Sequence, residues 1–415
     1  AGGGTPMDTI DTAPRVWPPG LHRVPYWVYR DPDTAREEQA RVFEGPAWTY
    51  LCLEAEIPNP GDFKTGFVGA MPVVAARTED GSIAAFENRC VHRGALICLE
   101  NQGNTKDFHC VYHAWRYDLR GNLTSIAFRR GVNGQGGMPD GFRMEDHRPR
   151  ALRIATLCGL VFGTLDPAAP ALEDYIGPEI VGRIRRVLKA PVEVLGRFVQ
   201  PLPNNWKLYM ENVRDTYHAS LLHLFFTTFR ITRLSSGGGV LVGENGVGHA
   251  SATRGAPPKH DPSYAGIRSD DAGFALDDPA FMDAVNEFGD DIQLQILTVF
   301  PGFVLQQINN CLAVRQAVPT GVDSMDLHWT YIGFADDAPE LRRMRLMQAN
   351  LVGPAGYVSL EDGAVGGFVQ RGIASADAIE SVVEMGGHGA ESQETRATEA
   401  SVRGFWKAWR AHMGV

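Results

Sequence analysis

The sequence predicts an α+β protein in which a small all-β domain precedes a larger domain of antiparallel strands and covering helices. Three observations support this fold class. From Trp48 to about Leu165 the chain consists of short apolar strands separated by turn signals. Asp166-Pro-Ala-Ala-Pro170 then has the composition of a linker, and longer helical patterns alternate with strands beyond it. The length of 415 residues suits two domains of roughly 100–200 residues each.

Composition excludes several classes of protein. Hydrophobic residues make up 44% of the chain and charged residues 21%, which allows a sizeable core. The net charge of −10 argues against nucleic acid as a partner, because phosphate binding needs a basic surface. We find no apolar run of about 18 residues and expect no membrane span. No secretory signal is visible, so we expect a cytoplasmic protein whose six cysteines are better considered for metal binding than for disulfides.

The chain divides into three predicted parts, residues 1–46, 47–166 and 167–415. The first part carries one helix, because Asp31 supplies an N-cap and Pro32 occupies the first helical position. We expect this N-terminal segment to pack on the third part. The second part is the predicted β domain, and the third is the predicted catalytic domain.

Two hairpins and an interrupted apolar run define the β domain. Met71–Arg77 and Ser82–Glu87 flank a turn that contains Asp-Gly, which is a strong hairpin signal. Tyr117–Leu119 and Leu123–Ile126 flank a turn that contains Gly-Asn. Leu152–Leu165 is almost entirely apolar and is interrupted by one glycine, so we expect two further strands there.

The third part alternates helices and strands around a long irregular stretch. The apolar periodicity predicts four helices, at Pro178–Lys189, from Asn204 onward, at Pro339–Val352 and from about Gln393 to Met413. It predicts four strands, at Val192–Val199, Ile292–Val299, Phe303–Val318 and Asp326–Phe334. Residues 235–291 are rich in Gly, Asp and Pro with weak periodicity, which is typical of a functional loop region or lid. The aromatic stripe of the last helix is most simply core packing.

Cysteine and histidine are paired in two short motifs of the β domain, Cys90-Val-His92 and Cys110-Val-Tyr-His113. Each motif offers one thiolate and one imidazole from one loop, which suits a cluster of two inequivalent irons with thiolates on one and imidazoles on the other. The alternatives are a structural zinc site, although zinc motifs usually pair Cys with Cys and His with His, and a chance spacing. The remaining cysteines lack such partners and are expected to be ordinary small residues: Cys52, Cys98, Cys158 and Cys311.

A second group of metal-ligand types follows the linker, in a D-x-x-H-x4-H motif formed by Asp215, His218 and His223. Asp215 and His218 would share one face of a helix. His218 and His223 lie about 140° apart on an ideal helix, so the helix must end or bend between them if both face one metal. Two imidazoles and a distant carboxylate would form a facial triad that leaves positions for O2 on non-haem Fe(II). Glu361 and Asp362 are the candidates for that carboxylate, and Asp362 alone could equally be a helix cap or turn residue.

The two metal motifs together resemble those of one protein family. The Cys/His motifs, with the R-G and A-W pairs that follow them, resemble the Rieske [2Fe-2S] signature. The E-N-x-x-D-x-Y-H-x4-H string and the later G-P-A-G…D-G string are similar to those of the large subunits of ring-hydroxylating Rieske oxygenases, in the same order. The resemblance extends over essentially the whole chain from about Arg23. It implies a Rieske domain followed by a helix-grip catalytic domain.

The resemblance also implies the roles of individual residues. Four residues would hold one [2Fe-2S] cluster per chain: Cys90, His92, Cys110 and His113. Three would hold one mononuclear Fe(II): His218, His223 and Asp362, with Glu361 as the reserve. Asp215 would bridge a Rieske histidine of the neighbouring subunit to an iron-ligand histidine and so couple the two sites. Without the family, a capping or solvated role is the simpler interpretation of Asp215.

The family implies several partners that the residues themselves do not indicate. Electrons from NADH would enter through a reductase that carries flavin and iron–sulfur groups, and would cross between subunits of a trimer. A small β subunit would complete an α3β3 assembly. Two other classes of protein make different predictions: a Rieske electron carrier would be a short chain with only the first motif, and a zinc-stabilised binding module would hold no iron.

Two arginines are candidate substrate ligands. Alternation along Cys311–Ala317 places Arg315 among small residues, and a planar guanidinium suits a carboxylate; the alternative is a surface arginine. Arg396 lies off the apolar stripe of the last helix, where a solvated position is the simpler interpretation. The segments around both resemble the terephthalate-oxidising branch of the family, so we expect 1,2-cis-dihydroxylation of terephthalate, with one arginine for each carboxylate. The alternative is a hydroxylase of a monocarboxylate such as salicylate or anthranilate.

Overall fold

The predicted fold class is confirmed by a computed structural model, which describes residues 15–258, 261–267, 274–376 and 379–415. Two antiparallel sheets of seven strands form the frame of the described chain, one in the β domain and one in the catalytic domain. A small three-stranded sheet extends the β domain. Among the helices that the structure describes, none combines the length and the apolar character that a bilayer span requires.

The N-terminal segment forms strand β1 (Arg23–Pro25) and helix α1 (Pro32–Glu38), which runs on into a π-helical turn. The predicted cap is present, because the Asp31 carboxylate accepts a hydrogen bond from the backbone N–H of Thr34 at 2.7 Å. Helix α1 therefore begins where the Asp-Pro pair predicts.

A buried carboxylate attaches this segment to the catalytic domain. Glu38, at the end of α1, accepts hydrogen bonds from the indole N–H groups of Trp206 and Trp409 at 3.1 and 2.7 Å. It also pairs with the fully buried ammonium of Lys207 at 2.7 Å. Since all four side chains are buried, this polar group is compensated from every side and fixes the segment against the rest of the fold.

The β domain contains both predicted hairpins. Its strands are β2 (Thr49–Leu53), β3 (Asp62–Val68), β4 (Met71–Arg77), β5 (Ile83–Glu87), β6 (Gln102–Asn104), β7 (Phe108–His109), β8 (Arg116–Tyr117), β9 (Leu123–Ser125), β10 (Ala151–Leu157) and β11 (Leu160–Thr164). The large sheet has the order β2-β11-β10-β5-β4-β3-β6, and the small one has the order β7-β8-β9. We keep the boundaries at residues 47 and 167 as a proposal.

The catalytic sheet has the order β12-β18-β17-β16-β15-β14-β13. Its strands are β12 (Val192–Leu202), β13 (Gly237–Val242), β14 (Gly248–Arg254), β15 (Ile292–Val299), β16 (Phe303–Ile308), β17 (Cys311–Pro319) and β18 (Met325–Phe334). Neighbouring side chains of β17 point to opposite faces of the sheet, so one face contacts the β domain and the other lines the cavity. Gln316 donates to the backbone carbonyls of Tyr50 and Phe67 in the β domain, whereas Arg315 points to the opposite face.

Helices cover the catalytic sheet, and the chain ends beside them. They are α2 (Leu172–Ile176), α3 (Pro178–Val187), α4 (Trp206–Arg214), α5 (Ala219–Leu222), α6 (Leu224–Thr228), α7 (Pro339–Val352), α8 (Ser359–Gly372) and α9 (Ala400–Met413). Strand β19 (Glu380–Val382) pairs with β1. The aromatic stripe of α9 is buried, so its interpretation as core packing is confirmed.

Two predictions for strands are wrong. The stretch 235–291 was predicted as a loop region, but it contains β13 and β14, while residues 259–260 and 268–273 lie outside the described residues. The glycines of β13 interrupt the apolar alternation that would predict a strand. At Gly239 a Cβ would lie 2.3 Å from the carbonyl oxygen of Gln393, so only glycine allows the two backbones to approach each other. The single strand predicted at Phe303–Val318 is two strands, because Asn309 turns the chain at φ +50°.

Two predictions for helices also need correction. The last helix begins at Ala400 rather than Gln393, so Arg396 precedes it and does not lie on one of its faces. Helix α8 was not predicted, because its four glycines give it a low helix propensity. Two of those glycines have a clear packing role, since a Cβ at Gly366 would lie 2.7 Å from Asn204 and one at Gly363 would lie 2.8 Å from Leu202. The close packing places Asp362 inside the domain.

Candidate active site

The two Cys/His motifs form a matched pair of loops at one end of the β domain. In each loop the cysteine N–H donates across the turn, from Cys90 to the Ala95 carbonyl at 2.7 Å and from Cys110 to the Trp115 carbonyl at 2.9 Å. In each loop the residue four positions after the cysteine has a left-handed backbone: Gly94 at φ +77° and Ala114 at φ +54°. The loops are therefore two copies of one conformation that face each other.

The side chains of these loops are arranged with sulfur inside and imidazole outside. Cys90 and Cys110 are 3% and 2% exposed, whereas His92 is exposed and its ring centroid lies 4.5 Å from that of His113. The Tyr117 hydroxyl lies 3.1 Å from the Cys90 sulfur, a contact that the motifs did not predict. Two thiols and two imidazoles from paired loops fit a cluster with inequivalent irons, and the imidazole side would be the route for an electron.

The second predicted group converges on one carboxylate oxygen inside the catalytic domain. The Nε2 atoms of His218 and His223 lie 3.5 and 3.2 Å from Oδ1 of Asp362. One ligand atom from each of the three residues lies within 4.8 Å of the others. Asn212 donates to the same Asp362 oxygen at 3.2 Å. Two imidazoles and one carboxylate on one side of a centre make the facial arrangement that suits non-haem iron.

Carboxylates outside this group lie next to the opposite ring nitrogens. Nδ1 of His218 lies 3.3 Å from Asp215, and Nδ1 of His223 lies 2.8 Å from Glu361. The structure therefore brings Asp362 to the centre and places Glu361, the reserve candidate, behind His223. Such outer partners fix the tautomer and the orientation of a metal-binding histidine.

The backbone explains how two histidines five residues apart reach one centre. Helix α4 ends at Arg214, so the expectation that Asp215 and His218 share a helix face is wrong. Asp215 has an extended backbone, and its side chain accepts from the backbone N–H of Tyr217 at 2.7 Å. The short helices α5 and α6 are separated at His223, whose ψ of 83° is not helical. The chain thus has the break that the spacing of the histidines requires.

The protonation of the two histidines and the ionisation of Asp362 depend on each other. Burial favours the neutral imidazole of His218, but the carboxylates of Asp215 and Asp362 outweigh it and raise the pKa of His218 to about 10. Burial also favours the neutral carboxyl of Asp362, yet hydrogen bonds from His218 and His223 hold its pKa well below the ordinary range. Asp362 is therefore a buried anion at neutral pH, and a bound cation would take over the role of the protonated imidazoles.

A cavity next to this group lies between the helices and the catalytic sheet. Its lining includes both predicted arginines together with His218, His223 and Asp362. The sheet contributes a mixed floor of apolar and polar side chains: Ser251, Thr253, Leu294, Ile296, Gln306, Ile308 and Trp329. An aromatic substrate in this cavity would lie among side chains that include the candidate metal ligands and both arginines.

Arg315 is held rigidly on β17. It is 5% exposed and donates to the Tyr209 hydroxyl at 2.8 Å and to the side-chain oxygen of Gln306. Its Cζ lies 4.4 Å from the ring centroid of Trp329. The alternative of a surface arginine is therefore wrong, because the side chain is buried among neutral partners.

Arg396 is buried to the same degree, at 4% exposure. It donates to the hydroxyls of Thr232 and Thr253 at 2.7 and 2.9 Å and to the backbone carbonyl of Arg233. Its own carbonyl accepts from the hydroxyl of Thr216 at 2.6 Å. Burial lowers the pKa of Arg396 to about 10, so the guanidinium stays charged at neutral pH. A solvated position is excluded.

Two sequence families match the chain. Residues 47–133 match the Rieske [2Fe-2S] domain, and residues 189–415, more than half of the chain, match the catalytic domain of the ring hydroxylating alpha subunit. The chain belongs to the ring-hydroxylating oxygenase alpha-subunit family. This family consists of oxidoreductases that use O2, and its members combine a Rieske cluster with a mononuclear iron. The electron-carrier and zinc-module alternatives are thereby excluded.

Several relatives of this family member span nearly its whole length. The alpha 2 subunit of the terminal oxygenase component of terephthalate 1,2-dioxygenase from Comamonas sp is 58% identical, over 94% of this chain and 95% of that one. The large subunit of anthranilate 1,2-dioxygenase from Burkholderia cepacia is 46% identical, over 94% and 93%. Naphthalene 1,2-dioxygenase from Rhodococcus sp. has the same fold, with a TM-score of 0.78 at 23% identity and coverage of 95% and 96%.

Proposed function

We propose that the protein is the large subunit of an oxygenase that adds both atoms of O2 to terephthalate, giving a 1,2-cis-diene-diol dicarboxylate. One observation carries the choice of substrate. Arg315 and Arg396 are two buried cations that line one cavity, and within the described residues neither has a carboxylate at ion-pair distance. Buried charges are normally compensated, and an aromatic dianion would supply the missing charge at both sites.

The hydrogen bonds of each arginine leave donors for a carboxylate. In Arg396 the two threonine hydroxyls and the Arg233 carbonyl take three of the five N–H groups, and Nε remains buried without an acceptor. In Arg315 two N–H groups are used, and Nε again has no acceptor. Two free donors on a planar guanidinium can bind a carboxylate through both of its oxygens.

The residues around the candidate iron site would position the substrate and hold the metal ligands. We propose that His218, His223 and Asp362 hold Fe(II), which supplies O2 activation when bound, and that Cys90, Cys110, His92 and His113 hold the cluster that supplies single electrons. Arg315 and Arg396 would fix the two ends of the substrate. Asp215 and Glu361 would orient the histidines, and the apolar side chains of the floor, Leu294, Ile296 and Ile308, would exclude water from the ring.

We propose that electrons pass between subunits of a trimer of this chain. A second cavity lies on the other side of His218 and is lined by Asp215, Glu211 and Glu399. Its lining includes the exposed apolar side chains Val369 and Val382, and three more lie beside the imidazoles of the β domain: Val111, Tyr112 and Phe128. Surfaces of this kind suit protein contact. These two exposed apolar surfaces support an arrangement in which the cluster of one subunit docks beside Asp215 of the neighbouring subunit.

We propose further partners. The descriptions of the relatives as alpha or large subunits support a second, smaller subunit. To this we add, as part of the proposal, an α3β3 assembly and a reductase that carries flavin and iron–sulfur groups and uses NADH. We also propose a cytoplasmic location, since none of the six cysteines, all of which the structure describes, forms a disulfide.

Substitution of the arginines tests the choice of substrate. Arg315→Ala and Arg396→Ala should each weaken terephthalate binding at least about a hundredfold, because each leaves one carboxylate buried and unpaired. Arg254→Ala is the matched control, since Arg254 follows Thr253 but is exposed. Unchanged kinetics in both buried-arginine variants would contradict terephthalate as the substrate.

A monocarboxylate hydroxylase is the second candidate, because a salicylate 5-hydroxylase component from Ralstonia sp is 39% identical over 96% of this chain. Such a substrate would need only one of the arginines. Faster turnover of salicylate or anthranilate, with only one arginine variant impaired, would favour it.

A further inference from the structure

We propose that Trp329 is a substrate-binding residue, whose indole N–H donates to the same carboxylate that Arg315 binds. The proposal rests on the proposed function and makes it more specific. The guanidinium of Arg315 and the indole of Trp329 would together form one carboxylate site in the cavity. Neither the metal motifs nor the position of Arg315 in the sequence predicts the part played by Trp329.

Strand register brings the two side chains together. Arg315 on β17 and Trp329 on β18 are directly opposite each other in the antiparallel pairing, and both line the cavity. The guanidinium lies over the indole, with Cζ 4.4 Å from the ring centroid. This stacking restricts the plane of the guanidinium, and therefore the directions in which its N–H groups can donate.

Unmet donors indicate what the pair is arranged to bind. The indole Nε1 of Trp329 and the Nε of Arg315 are both buried, and neither has an acceptor within the described residues. On Arg315, Tyr209 and Gln306 each accept from one N–H of a terminal nitrogen, whereas Nε stays buried without an acceptor. A buried N–H without an acceptor is unfavourable, so an anion with two acceptor oxygens would satisfy both free donors.

The surroundings of the second arginine in the cavity are built differently. Arg396 is surrounded by threonine hydroxyls and a backbone carbonyl, with no aromatic ring over its guanidinium among the described contacts. Hydroxyls can rotate to donate or accept, whereas an indole N–H only donates and has a fixed direction. The Arg315 site is therefore expected to demand an acceptor more strictly than the Arg396 site.

Trp329→Phe tests the proposal, because phenylalanine keeps an aromatic face under Arg315 and removes the N–H. Titration calorimetry would measure terephthalate binding to enzyme that has both metal centres loaded. The cluster would be kept oxidised by leaving out the reductant, so that no turnover occurs. We expect the dissociation constant to rise about tenfold or more, since a hydrogen bond to a charged group is lost. In turnover, KM should rise while kcat stays within about twofold, because binding and not chemistry is impaired.

Trp27→Phe is the matched control. Its indole Nε1 is also buried without an acceptor, but Trp27 lies in the N-terminal segment and does not line the cavity, so the dissociation constant should not change. If Trp329→Phe fails to fold, replacement of Trp329 by β-(3-benzothienyl)alanine exchanges only the N–H for sulfur and keeps the shape of the ring. The visible spectrum of the cluster and the circular dichroism of each variant report folding.

The experiment separates this proposal from the proposed function. Terephthalate binding by the wild-type enzyme, with an unchanged dissociation constant in Trp329→Phe or in the benzothienyl variant, would overturn the role of Trp329 alone. Absence of terephthalate binding by the wild-type enzyme would overturn both. Weaker binding in the Trp329 variants together with an unchanged Trp27 variant is the result that supports both.

Discussion

Each histidine of the candidate iron site contacts one carboxylate through each ring nitrogen. Nε2 of His218 and of His223 points to Asp362, while their Nδ1 atoms lie near Asp215 and Glu361 respectively. The inner contact and the outer contacts have different consequences. Loss of the shared carboxylate removes a ligand, whereas loss of an outer one only loosens the orientation of a ring.

Asp362→Ala and Glu361→Gln are expected to differ in iron content. Asp362→Ala should lose the mononuclear iron and keep the cluster, because it removes one of three ligands. Glu361→Gln should keep both, since an amide can still contact His223. Iron and acid-labile sulfide analysis gives about three irons per chain for a loaded enzyme and about two for Asp362→Ala. Iron loss in Glu361→Gln with retention in Asp362→Ala would show that the ligand assignment is reversed.

Asp215→Ala should retain both metal centres and lose turnover. The side chain contacts His218 at its outer nitrogen and the backbone N–H of Tyr217, so its removal affects coupling more than metal affinity. We expect kcat to fall by about tenfold to a hundredfold, as for other residues that hydrogen-bond to metal ligands. Asp336→Ala, at an exposed position, serves as the control. Full activity in Asp215→Ala would refute the bridging role.

At the scale of elements, helix ends and close helix packing build the site. Local patterns were sufficient for the Cys/His loops, the hairpins and the cap at Asp31, because these depend on residues within a few positions of each other. They were insufficient for α8 and for Arg396. The role of the glycines at Gly363 and Gly366 of α8 is visible only from their neighbours Leu202 and Asn204. The partners of Arg396 are more than 140 residues away in the chain. Such contacts leave no periodic signal in the sequence.

The stability of the protein should depend on pH through Glu211, which lies where α4, α9 and the N-terminal segment meet. Burial raises the pKa of Glu211 on α4 to about 7, against hydrogen bonds from Trp406 and Tyr29 that lower it. The folded state thus holds this proton more tightly than the unfolded state, and the stabilisation it gives is lost as the pH rises through about 7.

Glu211→Gln should remove part of this pH dependence, because glutamine is neutral throughout. Between about pH 6 and pH 8, the melting temperature of the wild-type protein should fall more than that of Glu211→Gln. Differential scanning fluorimetry measures the difference, and Glu340→Gln, at an exposed position of α7, provides the control. Parallel pH profiles for the wild type and Glu211→Gln would contradict a raised pKa at Glu211.

In the whole molecule, the two proposed metal centres of one chain lie in different parts, one in the loops of the β domain and one among the helices of the catalytic domain. The imidazoles of the β domain are at its surface, and His218 borders a cavity with exposed apolar side chains at its edge. A symmetric ring of identical subunits can bring the first surface of one chain to the second surface of the next. Activity would then belong to the interface and not to one chain.

Mixed assemblies test this arrangement. Cys110→Ser should abolish the cluster and His218→Ala should abolish the iron, so each variant alone is inactive. Co-expression of both, with the partner subunit and reductase, should restore activity, because a cluster from one chain can serve the iron of its neighbour. About a quarter of the interfaces would be competent if the chains mix randomly into closed rings. No recovered activity in assemblies shown to contain both variants would contradict transfer between subunits.

Product analysis with a reconstituted reductase and a panel of benzoates, phthalates and salicylates under labelled O2 tests the choice of substrate most directly. We expect terephthalate to be consumed fastest and to yield a cis-diene-diol dicarboxylate that carries two labelled oxygen atoms, because both proposed carboxylate ligands, Arg315 and Arg396, line the cavity beside the proposed iron site. Faster conversion of a monocarboxylate, with terephthalate left unchanged, would show that terephthalate is not the substrate.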